Sequence, residues 1–218
     1  MKKITVVTGH YGSGKSTFAA NYAVRCSQQG ERVTVADMDT VNPYYRTADL
    51  KALFDENGVE LIAPRYAGSN LDMPIIDYDI PGLYETGRNI IIDMGGDDAG
   101  AYPLGKFAAF LREHKDETEV LYVVNFCRCL TYDTDGAQEI LKEIENACGL
   151  KATAVVNNSN LGFETDESII NEGLKKAEKL SAETGIPIFC STVPVLEKCK
   201  DIKGELFPVN IYIRNVWN

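Results

Sequence analysis

Long apolar runs are missing from this chain: nowhere does one approach the roughly 20 residues that a bilayer-spanning helix needs. Met1-Lys2-Lys3 leads straight into a strand-like run, so no removable leader is expected and a cytoplasmic protein is predicted. Positive charge is scarce too, with 22 Lys and Arg against 32 Asp and Glu, a net charge of −10 and a pI of about 4.8. Such a balance disfavours binding of nucleic acid or anionic lipid by charge alone. Histidine occurs twice, and no second close cysteine pair accompanies Cys127-Arg128-Cys129. That pair is half of a four-ligand site, so free thiols are the plainer reading and a metal shared across a dimer the alternative. The remaining cysteines read as reduced thiols, several of them in the core. Repeats and low-complexity tracts are absent. With 44% hydrophobic and 25% charged residues, the 218 positions suit one folded domain, 1–218, with a sizeable core.

What is present is organised around Gly9-His10-Tyr11-Gly12-Ser13-Gly14-Lys15-Ser16-Thr17. It fits G-x-x-x-x-G-K-[ST], in which small residues let backbone N–H groups curl around phosphate oxygens. Gly9, Tyr11, Gly12, Ser13, Gly14, Lys15, Ser16 and Thr17 are therefore the candidate phosphate cradle. Lys15 would lie against the β- and γ-phosphates and the Ser16 hydroxyl would hold Mg²⁺. The flanks agree: Ile4 to Thr8 is a short β-branched strand, and Phe18 to Gln29 reads as a helix stopped by Gly30.

Further along, strands are predicted at 32–37, 59–63, 89–93, 119–126, 152–156 and 187–190, with an edge strand in 206–213. Helices are predicted at 47–57, 102–115, 134–148 and 166–184, the last two closed by Gly149 and Gly185. Residues 64–88 lack a period and read as an irregular insertion. The alternation predicts an α/β, doubly wound, mostly parallel sheet flanked by helices, the fold of P-loop NTPases. In such sheets ligands bind beyond the carboxyl ends of strands, where Asp37-Met38-Asp39 and Asp93-Met94-Gly95-Gly96 would emerge. Asp93 is the leading metal-side acid, and Asp39 is a catalytic or switch acid. Ser16, Asp39 and Asp93 thus form the candidate metal set. Arg46, Arg65 and Arg128 are candidate cations for a phosphate or acidic ligand, each equally readable as a surface residue.

Together the phosphate loop, Asp37-Met38-Asp39, Asp93 to Asp97 and the asparagine after the sixth strand resemble the MinD/ParA/CobQ-like P-loop proteins. This resemblance implies that Asp39 positions the hydrolytic water, Asp93 binds hydrated Mg²⁺ and Asp97 lies in a second switch. It also implies that Asn157, or else Asn158, bonds the adenine edge, that a turn at Val193-Pro194 packs near the base, and that two copies dimerise around ATP. The chain departs from the pattern at His10 and Tyr11, where the deviant form of the loop has lysine and glycine. His10 reads as a simple loop residue, and dimer-coupled hydrolysis is not carried over. Asn157-Asn158-Ser159-Asn160 stands where guanine binders have Asn-Lys-x-Asp, which favours ATP and leaves GTP open. The leading expectation is an Mg²⁺-dependent ATPase, slow without a protein partner and acting on it as a switch through its ATP/ADP cycle. The alternatives are a small-molecule kinase or ATP-dependent synthetase of the CobQ and dethiobiotin type, and a non-enzymatic nucleotide-loaded adaptor or metal carrier.

Overall fold

The computed structural model describes residues 1–39, 47–63, 78–96, 98–195 and 202–212. Its strands are β1 (Ile4–Thr8), β2 (Val33–Met38), β3 (Glu60–Ile62), β4 (Asn89–Met94), β5 (Thr118–Val124), β6 (Ala154–Asn157), β7 (Ile188–Pro194) and β8 (Leu206–Val209). Its helices are α1 (Lys15–Gln28), α2 (Lys51–Glu56), α3 (Ile80–Glu85), α4 (Asp98–Gly105), α5 (Ala108–Glu113), α6 (Thr134–Cys148) and α7 (Glu167–Thr184). The strands form one sheet in the order β3-β2-β4-β1-β5-β6-β7-β8, and every pairing is parallel. The architecture is α/β, with helices on both faces.

Strands buried on both faces need near-continuous apolar sequence, and β1 (ITVVT) and the start of β4 (NIIIDM) supply it. Alternation along β4 sends Ile90, Ile92 and Met94 into a core shared with α4, α6 and α7. Ile91 joins Phe18, Ala19, Tyr22 and Ala23 of α1 on the opposite face. Two long helices are closed by their own chemistry. Asp133 and Asp166 accept from Gly136 N and Ile169 N at 2.9 Å, and Gly149 and Gly185 end α6 and α7 in the left-handed region.

Three expectations are corrected. The helix predicted at 102–115 is two helices, because Pro103 sits inside α4 without an N–H to give and Gly105 follows, so the chain turns before α5. The seventh strand runs on through Ser191, Thr192 and Val193 because these pair with β8. Pro194, expected in a turn, is therefore the last residue of β7, opposite Val209. His114 is half-buried, with its ring 4.6 Å from Tyr84 and 4.3 Å from Phe110. Of the segment read as an insertion, 64–77 lie outside the described residues, and 78–88 contain α3, anchored by buried Tyr78 and Ile80.

Candidate functional site

The first strand leaves the sheet between β4 and β5, so the loop after it emerges where neighbouring chains run off to opposite sides. Register aligns three strand ends: Val7 lies beside Asp93, and Asp93 beside Asp37. Asp93 follows Ile91 by two residues and so points to the α1 face, where Lys15 and Ser16 open the helix. Gly14 caps α1 with φ of 85°, a left-handed conformation natural to glycine, and a Cβ there would collide with the Asn158 carboxamide. Ser13 N donates to His10 O at 3.0 Å, and Phe18 N to Gly14 O at 2.9 Å, which fixes the curl of the loop.

Beneath this loop charge is concentrated. Lys15, 4% exposed, donates to Asp39 Oδ2 at 2.9 Å, and Asp39 N donates to Asp37 Oδ1 at 3.1 Å. The Tyr78 hydroxyl donates to the Asp37 carbonyl, tying the segment that leads into α3 to the end of β2. Asp93 is fully buried, and neither of its oxygens accepts a hydrogen bond of ordinary geometry. Burial pushes its carboxyl up to about 7; nearby Lys15 and the Ser16 hydroxyl oppose the rise, while Asp37 and Asp39 add to it. The Ser13 hydroxyl is likewise buried without a partner. Buried polar groups are normally satisfied; among the described residues Thr47, Thr118 and Thr134 carry orphans too, but Thr8, Ser13 and both Asp93 oxygens fall at this loop and the strand end beside it, which suits a site that takes a polar ligand and a cation. Ser16 and Asp93, a hydroxyl and a carboxylate on the same side of the sheet, are the oxygen donors that Mg²⁺ prefers.

The other predicted residues divide by environment. Tyr11 and Gly12 are exposed at the crest of the loop, while Gly9 and Ser13 are buried in it and Thr17 is half-buried. Asn158 braces the loop, donating to Ser13 O at 2.6 Å and accepting from the Thr192 hydroxyl. Asn157 is wholly buried, donating to Ile170 O at 3.3 Å and Ser191 Oγ at 3.1 Å and accepting from Ser159 N and Oγ. A base contact by either asparagine requires exchange of these bonds. Asp97 and Arg46, like Arg65, lie outside the described residues.

Sequence reasoning passed over Asn125, at the exit of β5. It is fully buried, and its amide donates to Asn160 O at 3.1 Å while its Oδ1 accepts from Cys127 N at 2.9 Å and Asn160 N at 3.2 Å. A buried asparagine just beyond an apolar strand was the available signal, the same one that marked Asp93. The five described cysteines are free thiols, three of them buried. Burial pushes Cys26 up to about 11 and Cys190 to about 12. No group of three or more potential metal-ligating side chains is assembled among the described residues. Among them, no helix is long and apolar enough to cross a membrane.

Comparison of the fold with solved structures finds FtsY, a cell division protein from Thermotoga maritima, at a TM-score of 0.58 and 20% identity, over 87% of this chain and 60% of that one. FtsY from Mycoplasma mycoides matches at 0.55 and 20% identity, over 85% and 57%. The signal recognition particle 54 kDa protein of Aeropyrum pernix, in complex with GDP, matches at 0.54 and 21% identity, over 85% and 40%. The fold is that of the P-loop NTPases. This chain spans between 40% and 60% of the length of those three structures. No family model matches the sequence, and no curated protein does.

Proposed function

We propose that this chain is an Mg²⁺-dependent nucleoside triphosphatase, acting on ATP as a switch for a protein partner. The observation that carries the reading is a phosphate loop set over a buried Asp93 whose oxygens accept no hydrogen bond of ordinary geometry, next to a buried Lys15–Asp39 pair. Ser16 and Asp93 would hold Mg²⁺, with Asp39 as the third candidate. The ion, when bound, neutralises charge on the β- and γ-phosphoryl oxygens.

The remaining steps belong to the protein. Amides of residues 9–17 receive the phosphates at the positive end of α1. Lys15 is drawn from Asp39 to phosphate, because a triphosphate competes for the same ammonium. The released Asp39 carboxylate then orients the attacking water. Asp97 belongs to the second switch in this reading, and Gly95-Gly96 would let that switch respond to loss of the γ-phosphate. Adenine is assigned because the guanine signature is missing from 157–160, with Asn157, Asn158 and Pro194 near the base. A nucleotide-dependent homodimer and a cytoplasmic location complete the proposal.

The test is calorimetry with ATP and Mg²⁺ on wild type and Lys15→Ala. Wild type should release heat of association and the variant should lose it, with affinity down at least about 100-fold. No heat from wild type with either ATP or GTP overturns the reading.

A further inference from the structure

The loop that follows β5 brings a second cation to the phosphate loop. Arg128 Nε donates to Gly12 O at 3.1 Å, across 116 positions of sequence. Beneath it the backbone is tightly held. Arg128 N donates to Asn125 O at 3.1 Å, Thr131 Oγ1 donates to the same carbonyl at 2.7 Å, and Thr131 N donates to Arg128 O at 3.2 Å. Phe126 N donates to Ser159 Oγ at 3.1 Å, so the loop after β6 buttresses the whole turn. The side chain above this platform is exposed and makes no ion pair with a described acid, and a guanidinium has five N–H donors of which one is used here. Arg128 is thus a planar, permanently charged donor fork on a fixed base, linked by one hydrogen bond to the residue at the crest of the phosphate cradle.

Charge explains why such a group belongs there. A triphosphate brings about four negative charges at neutral pH to a place already holding Asp37, Asp39 and Asp93, where Lys15 is the buried cation among the described residues. Building on the nucleotide reading above, we infer that Arg128 is an in-chain ligand for the terminal phosphoryl group, donating from its Nη atoms to γ-phosphate oxygens. It would recognise triphosphate over diphosphate, because the charge it meets is the one that leaves on hydrolysis. Arginine suits this role better than lysine, since two parallel N–H groups match two phosphoryl oxygens.

The experiment compares binding of ADP and of a non-hydrolysable ATP analogue, each with Mg²⁺, to wild type, Arg128→Ala and Arg128→Lys by calorimetry. Circular dichroism verifies that the variants fold. Arg128→Ala should weaken the analogue about 10- to 100-fold while changing ADP less than about threefold. Arg128→Lys should fall between alanine and wild type for the analogue. Equal losses for both nucleotides would mean that Arg128 only braces the loop through Gly12, and unchanged affinities would mean that it has no part in the site; either result overturns the inference. Wild type that binds neither nucleotide fails at the earlier step and overturns the nucleotide reading itself.

Discussion

Asp39 and Asp93 are both buried acids at strand ends, yet their surroundings differ: Asp39 accepts from the Lys15 ammonium at 2.9 Å, while Asp93 accepts no hydrogen bond of ordinary geometry. Removing one member of a buried ion pair leaves the other desolvated and unmatched, which costs about 3–5 kcal/mol. Asp39→Ala should therefore lower the stability of the nucleotide-free protein by that order, because the Lys15 ammonium would be stranded. Phosphate can replace the missing carboxylate, so the same variant should bind ATP at least as tightly as wild type. Turnover should fall by about 100-fold or more if the carboxylate orients water. Urea unfolding, calorimetry and phosphate release read the three effects separately. Unchanged hydrolysis would remove Asp39 from the reaction, whatever happened to stability.

At the scale of elements, α1 joins phosphate cradle to core. Phe18, fully buried, sits one turn after Lys15, with its ring 5.7 Å from Tyr22 and 5.2 Å from Phe207 of β8. Phe18→Ala should destabilise the fold by about 3–5 kcal/mol, measured by urea unfolding, because the edge strand and the helix both lose their shared contact. A loss below about 1 kcal/mol would mean that β8 is not held through this cluster. Elements of this kind were legible in sequence where one local rule decided them: β1 and β4 as short apolar runs, α6 and α7 as periodic segments with Asp before and Gly after. The break between α4 and α5 was misread because Pro103 and Gly105 act inside a segment whose apolar spacing continues across them. The full length of β7 was hidden because its second half is held by pairing with β8, a tertiary cause. Asp93, the phosphate loop and Asp39 could be read from position relative to strands. The bonds from Asn158 to Ser13 and from Arg128 to Gly12 could not, since they span 145 and 116 positions and only the folded sheet brings their loops together.

For the molecule as a whole, nucleotide binding as proposed would work against a net charge of −10, which repels an anion at long range. Binding would then draw on short-range donors, the cradle amides, Lys15 and, on the inference above, Arg128, and on the cation that Ser16 and Asp93 would hold. Mass action couples this to stability, since a ligand that binds only the folded state adds about 2.7 kcal/mol at 100 times its Kd. For a chain of this size each kcal/mol moves Tm by about 2–4 °C, so saturating Mg²⁺ and ATP should raise Tm by about 5–10 °C. Mg²⁺ alone should give a smaller rise, because one ion meets few protein oxygens without the phosphates, and ATP with excess chelator should fall short of the pair. Lys15→Ala should abolish the shift from the pair and should itself melt below wild type, because the buried Asp39 carboxylate loses the Lys15 ammonium; scanning fluorimetry would read both directly. Equal shifts from Mg²⁺ alone and from the pair would mean that the acids form a cation site independent of the phosphate loop, and the two halves of the site would then need separate explanations.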